Sequence, residues 1–557
     1  MGNVRDLLNG AIEAYQQGRH DKAQQLALLA LDQDASDVQA LTLLGSVMSE
    51  TGQREAALVH LARAFELAPN DATVALAYGK ALREEEKFTE AEAVLAKAAQ
   101  LAPDDGGILA EHGMSLRDLM RLDEAEARLR AAVALPSGGP RKYAGLGLIL
   151  FETGRPDESA AFMRQAANLI PNDAEILTHL ALALQDLGRL SEAEGMFRRV
   201  LELAPKGDHE EARRQRGVYT GNLSLNLLSG GKIAEGWDLF EARAAFPNWK
   251  RSQRRYPVPL WTGQRFDGQT LLAWREQGLG DEIRMGGCVS QLARLGGQVV
   301  LDCDSRLETL YRRSFPDISV REAGPHGDLK FDLHVPIASL PRFFRRRIED
   351  FPGPVAYLKP DPILVEKWRA RLAALPGKIK AGICWKTGVT ASHRLWNISS
   401  LESWAPLLRM PDVGFVNLQY GDCEAELCAA EQAQKITVHR WPDLDLRNDL
   451  ENVVALIKAL DLVVTVGTAV NDLAGAVGCD TWLILKTPHY DMMGTDRYPW
   501  YPATRVFPRP WNLAWSRAMA RVAMAMKERL GEESGRNASC PCGSGKRFKH
   551  CCGAEGL

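Results

Sequence analysis

Residues 37–70 read DVQALTLLGSVMSETGQREAALVHLARAFELAPN, and residues 71–104 read DATVALAYGKALREEEKFTEAEAVLAKAAQLAPD. Each stretch is 34 residues long, and the two align without a gap. The same period gives six consecutive repeats from Val4 to Gly207. Gly18, Gly52, Gly154 and Gly188 share one register, with Glu86 and Met120 in the two remaining slots. Ala23, Ala57, Ala91, Ala125 and Ala193 share a second, with Ser159 the exception. Pro69, Pro103, Pro171 and Pro205 share a third, with Ser137 in the gap. A small residue at the turn between helices and a proline ending the second helix predict one helical hairpin per repeat. A single hairpin cannot bury its apolar face, so neighbours stack into a superhelix with a concave groove. Such a groove suits a segment of another protein, so a protein partner is expected before any chemistry is considered.

The period and registers are those of the tetratricopeptide repeat (TPR). A polar insertion, KGDHEEARRQR (206–216), follows the repeats. A degenerate seventh hairpin then runs from Val218 to Ala245, with Gly231 in the turn slot and Gly236 in the small-residue slot. It is expected to cap the solenoid.

At 557 residues the chain is too long for one core. Its 71 acids against 68 bases give a net charge of −3, which argues against a nucleic-acid partner. The longest apolar candidate span, Val453 to Val470, contains Lys458 and Asp461, so no membrane insertion is expected. MGNVRDLLNG has no apolar core of a secretory signal, and Asp6 disfavours myristoylation of Gly2. Six cysteines are scattered singly, at 288, 303, 384, 423, 428 and 479. Together these features predict a cytoplasmic protein.

After Trp261 short apolar runs alternate with helical segments. Strands are expected at 269–274, 298–303 and 331–336, with a helix over 281–295. A proline-rich joint (Pro352, Pro354, Pro360, Pro362) precedes a second series, with strands near 379–385, 413–419, 435–440, 461–466 and 480–485. Two alternating series predict two Rossmann-like halves facing across a cleft, with ligands at the carboxyl ends of the strands. The expected fold is a multidomain chain: an all-α solenoid (1–207), a connector (208–260), two α/β halves (261–360 and 361–530) and a small tail (531–557).

The tail carries CPCGSGKRFKHCC, with Cys540, Cys542, Cys551 and Cys552 around a Gly-rich basic loop. Four thiolates in two pairs suit a tetrahedral structural zinc site, which leaves no open position for catalysis. The string resembles the SEC-C motif, a small zinc-binding element found on many unrelated proteins, which implies zinc and a docking role.

Three segments of the α/β region are candidates for chemistry. In REQGLGDEIRM (275–285), Gly278 and Gly280 allow close backbone approach, and Asp281 sits at a helix start; an N-cap in an ordinary βα turn is the bland alternative. In ICWKTGVTASHRLWNISSL (383–401), Lys386, Thr387, His393 and Arg394 follow a strand and suit an anionic ligand, or form a solvated basic loop. In DLVVTVGTAVNDLAGAVG (461–478), Gly467 and Thr468 turn into a small-residue helix whose free N–H groups suit a phosphate, or simply pack close to a sheet. Arg345, Arg346 and Arg347 read as a solvated face or a domain contact. The aromatic stretch 496–511 reads as irregular core packing.

Taken in order, EQGLGD, W-K-T with a downstream basic residue, and GTAV-x-D-LAGA-x-G resemble the heptosyltransferase-related GT-B glycosyltransferases. The likeness extends to bacterial proteins that join TPR repeats to this domain, among them flagellin glycosyltransferases. It implies that Asp281 is the catalytic base, taking a proton from an acceptor hydroxyl. It implies that Lys386 or Arg394 contacts the donor phosphate, spacing leaving the two equal. It implies that Gly278, Gly280, Thr387, Gly467, Thr468 and Ala469 belong to the donor site, and that no catalytic metal is needed. The family usually reads D-T-A-V-A-H where this chain reads G-T-A-V-N-D, Gly467 to Asp472. An Asp472 carboxylate in the first helical turn would oppose a diphosphate, which points to a monophosphate donor such as a CMP-linked acidic sugar. The resemblance thus implies a protein O-glycosyltransferase with a nucleotide-sugar donor and a flagellin-like acceptor held by the repeats. A non-catalytic adaptor with a degenerate GT-B region is the alternative. A lipid-core sugar transferase at the membrane would need neither repeats nor tail.

Overall fold

The computed structural model describes residues 4–246, 254, 256–324, 329–351, 353, 356–388 and 397–554. The chain forms two compact units, Met1–Ala183 and Leu184–Leu557.

The first unit is built of helical hairpins, such as Val38–Glu50 with Arg54–Leu67 and Ala72–Glu84 with Phe88–Leu101. Asp37, Asp71 and Asp105 stand 34 residues apart and start each first helix, their carboxylates accepting from the N–H groups of Ala40, Val74 and Ile108. Losing such a cap costs about 1 kcal/mol. Each inter-helix turn needs a positive φ: +81° at Gly52 and +79° at Gly154. Glu86 and Met120 adopt the same conformation, at 58° and 60°, without a glycine's freedom. The small-residue register is interior, with Ala57, Ala91, Ala125 and Ser159 all at 0 % exposure. Leu61, Leu95 and Leu129 are buried beside them. Each contributes about 1.5–3 kcal/mol.

The division at Ala183/Leu184 does not coincide with the expected boundary at 207. The sixth repeat joins the α/β region through a buried pair, Asp186 at the end of its first helix with Lys486 at 2.7 Å. The insertion read over 206–216 is also half helical, because the next helix starts at Glu210 and runs to Ser229. His209 caps that helix and Ala212 is buried, so the polar run carries one apolar anchor. Gly231 turns at φ +79° into Ile233–Phe240, followed by a 3-10 turn Glu241–Ala245. Ile233, Trp237 and Phe240 enter the main core of the second unit.

Among the described residues, two all-parallel sheets follow. The first comprises β1 (Thr270–Trp274), β2 (Gln298–Cys303), β3 (Ser319–Glu322) and β4 (Leu333–Pro336), in the order β3-β2-β1-β4. The second comprises β5 (Ile379–Cys384), β6 (Val413–Asn417), β7 (Val438–His439), β8 (Leu462–Val466), β9 (Thr481–Lys486) and β10 (Thr504–Arg509). Its order is β10-β9-β8-β5-β6-β7. Numbered within this sheet, the order is 6-5-4-1-2-3, the Rossmann arrangement, with its topological switch between β5 and β8. The first sheet switches between β1 and β4.

Two expectations change. β3 and β10 are additional strands. The helix expected over 281–295 spans Leu279–Gly286 and then breaks. Gly286 lies against Tyr311, whose Oη would stand 2.9 Å from a Cβ there. Within the aromatic stretch, Tyr498, Trp500 and Tyr501 are core residues. Arg346 pairs with Asp238 at 2.9 Å, tying the capping hairpin to the first sheet's region.

Candidate active site

A cavity of about 510 Å³ opens where the segments following β1, β5, β8 and β9 converge. Both sheets present their switch points to it, which is where open parallel sheets bind ligands. Two eight-residue helices start at its wall, Leu279–Gly286 after β1 and Ala469–Ala476 after β8. The first N–H groups of a helix have no intrahelical acceptor and favour an anion. The two helix starts pack closely because Gly280 lacks a side chain. A Cβ there would lie 2.8 Å from Asp472 Oδ2 and 3.2 Å from Ala469 Cα. Thr468 caps the second helix, its Oγ1 accepting from the Val470 N–H at 3.3 Å.

The cavity brings together Gly278, Gly280, Asp281, Thr387, Gly467, Thr468 and Ala469. Lys386 is not among its lining residues; its Nζ lies 2.5 Å from Glu426 Oε2. The backbone alternates at the strand end, so Thr387 faces the cavity while its neighbour turns toward helix Glu424–Gln434. His393 and Arg394 lie outside the described residues.

Sequence reasoning missed Arg284. It sits one turn after Asp281 on the same helix face. Its guanidinium donates to Asp472 Oδ1 at 3.1 Å, to Asp491 Oδ1 at 2.6 Å and to Asp281 Oδ1 at 3.3 Å. Asp472 is only 2 % exposed. The carboxylate expected to oppose a phosphate is therefore engaged by Arg284. Burial still pushes the Asp472 carboxyl up to about 7, with Arg284 pulling it down. Arg284 itself stays charged, because the surrounding carboxylates outweigh its desolvation. Asp281, Asp472 and Asp491 converge on this one guanidinium, while Arg306 and Arg447 also line the cavity.

His489 and Asn471 were also missed. The His489 Nδ1 accepts from the Asp491 N–H at 3.2 Å, which leaves the proton of the neutral ring on Nε2. Burial lowers its pKa. Asn471 lines the cavity at 2 % exposure, and its Oδ1 has no hydrogen-bond partner among the described residues. A buried amide oxygen without a partner costs about 1–3 kcal/mol, which a bound ligand would recover.

In the tail, the Sγ atoms of Cys540, Cys542, Cys551 and Cys552 all lie within 4.8 Å of one another. Tetrahedral zinc with Zn–S near 2.3 Å needs Sγ atoms about 3.8 Å apart, so the cluster fits the ion with little movement. A bridge between Ser539 and Arg547 closes the loop, and Cys540 and Cys552 pack on Ala520 of helix Trp515–Leu530. Purified chain is expected to carry one zinc per molecule by elemental analysis. Cys551→Ser with Cys552→Ser is expected to abolish it while the main unfolding transition stays within a few degrees. Full metal content in that variant would exclude this site.

Family comparison matches a tetratricopeptide repeat model over residues 49–106 and 111–174, and another over 150–215. The SEC-C motif model matches 536–554. The chain thus carries TPR repeats, which generally hold protein partners, and a SEC-C motif. Protein FlbA of Caulobacter vibrioides is 34 % identical over 321 residues, 54 % of this chain and 54 % of FlbA. The chain spans about half the length of that relative. Among solved structures, a thermophilic TPR protein of Thermus thermophilus is 24 % identical, with a TM-score of 0.30 over 33 % of this chain and 99 % of its own. MamA is 20 % identical, with a TM-score of 0.26 over 30 % and 91 %. Among the described residues, no helix is long and apolar enough to cross a membrane.

Proposed function

We propose that the chain is a protein O-glycosyltransferase of GT-B architecture. It would move a sugar from a nucleotide donor to Ser or Thr of a protein held by the repeats. One observation carries this reading: two parallel sheets turn their switch points onto a single cavity that also holds Asp281. The helix start at Thr468–Ala469 receives the donor phosphate, and Asn471 offers its amide to the same ligand. Asp281 takes the proton of the acceptor hydroxyl as it attacks the anomeric carbon. Arg284 holds Asp281 in place and compensates Asp472. Asp472 in the first turn of helix Ala469–Ala476 favours one phosphate charge there over two, which points to a CMP-linked acidic sugar over a diphosphate donor. By the resemblance of the joined repeats and α/β region, a flagellin-like subunit is the proposed acceptor.

Nucleotide titration by calorimetry tests the donor site. CMP is expected to bind at least tenfold tighter than UDP, a difference of about 1.4 kcal/mol. Equal affinities would remove the charge argument, and no binding by any nucleotide would remove the donor site. The adaptor reading is favoured by one observation, the pairing of Lys386 with Glu426 outside the cavity lining. It predicts acceptor binding without nucleotide binding.

A further inference from the structure

The REQGLGD segment contains two charged residues that the proposed chemistry does not use, Arg275 and Glu276. Both are anchored, in different directions. Arg275 donates to Glu282 Oε2 at 2.7 Å and lies 3.2 Å from Asp304 Oδ2. Glu276 instead receives Arg243, which belongs to the 3-10 turn ending the capping hairpin. The Arg243 Nε donates to Glu276 Oε1 at 2.7 Å. Its Nη1 donates to Glu241 Oε1 at 2.7 Å, and its Nη2 to Ser339 Oγ at 2.8 Å. The Ser339 hydroxyl completes the ring by donating to Glu241 Oε2 at 2.9 Å. Arg243 is 3 % exposed, and its guanidinium lies over the Phe240 ring at 5.1 Å.

The placement of this ring is specific. Glu276 follows β1 and Ser339 follows β4, the two strands that flank the first sheet's switch point. Glu276 is two residues before Gly278, which starts the helix bearing Asp281. The same hairpin carries Trp237, which packs edge-on against Trp500 with ring centres 6.1 Å apart. The hairpin that ends the repeats is therefore joined rigidly to the loop that aims Asp281.

We infer that Arg243 is a positioning residue: from the hairpin capping the solenoid, it fixes the 275–278 loop and thereby the orientation of Asp281. The restraint follows from the contacts alone, and its effect on turnover rests on the proposed glycosyltransferase reading. A buried guanidinium with three anchoring side chains fixes direction as well as distance, which a lysine at the same position cannot reproduce.

Hydrogen–deuterium exchange on the full chain tests this. Arg243→Met is expected to speed exchange across 275–281 at least tenfold, with Arg243→Lys intermediate. Because Arg243→Met leaves Glu276 buried and unpaired, the double variant Arg243→Met/Glu276→Met is the decisive comparison. Replacing a buried ion pair with apolar side chains of similar size restores stability without restoring direction. The double variant is expected to regain the parent melting temperature and keep fast exchange at 275–281. Slow exchange in the double variant, or unchanged exchange in Arg243→Met, would overturn the inference. In transfer assays, the double variant is expected to lose at least tenfold in kcat with nucleotide affinity within twofold. Absence of transfer by the parent chain would reject the glycosyltransferase reading while the exchange data still decided the role of Arg243.

Discussion

Arg284→Met is expected to destabilise the chain by about 3–5 kcal/mol, the cost of leaving a buried ion pair half made. Arg284 is 8 % exposed and Asp472 2 %, so losing the guanidinium leaves Asp472 and Asp491 poorly solvated. The loss also depends on pH. Burial has already raised the Asp472 carboxyl to about 7 in the parent. A carboxyl raised by folding stabilises fully below its unfolded value of about 3.9. That contribution is lost as pH climbs through the folded value. Without Arg284 the folded value rises further and the loss deepens. Urea unfolding should therefore find the variant weaker at pH 8 than at pH 5, with a larger pH difference than the parent shows. Arg284→Met/Asp472→Asn should recover part of the stability, because it removes one of the stranded charges. A single variant as stable as the parent at pH 8 would show that the carboxylates have another partner.

Asp281→Asn has the largest expected effect on activity. Removing a general base typically lowers the rate about 10²–10⁴-fold. Asparagine keeps the shape and can still accept from Arg284, so the helix start survives. Nucleotide affinity should remain within a few fold. A parallel loss of nucleotide affinity would assign Asp281 to donor binding in place of base catalysis.

The repeats are legible in sequence because a turn, a buried small residue and a helix end each recur every 34 residues. Even Glu86 and Met120, which break the glycine register, keep its positive φ. Stacking imposes the turn on whatever residue occupies it. The interior strands β1, β2, β5, β8 and β9 are legible as apolar runs, as parallel strands covered on both faces must be. β3 is a four-residue edge strand, SVRE, with no apolar run to mark it. β10 contains Pro508, which reads as a break but is tolerated on an edge strand.

The glycine-containing turns and Asp281 are visible because they follow apolar strands directly. Arg284 is visible only as the partner of Asp281 three residues earlier; its attachment to Asp472 and Asp491 bridges about 190–210 residues of sequence. The direction of Lys386 could not be read, because one residue of backbone alternation decides between cavity and Glu426. Four cysteines in CPCGSGKRFKHCC are legible because they lie close together in sequence, where a metal site can be built locally.

The most direct test is intact-mass analysis of a flagellin subunit co-expressed with this chain, or with its Asp281→Asn variant, in a host that supplies the activated sugar. A sugar-sized increment on flagellin is expected with the parent chain, and its near-absence with the variant. An unmodified flagellin that nevertheless binds the parent chain stably would contradict transfer and support an adaptor. An increment equally abundant with both chains would contradict the role given to Asp281.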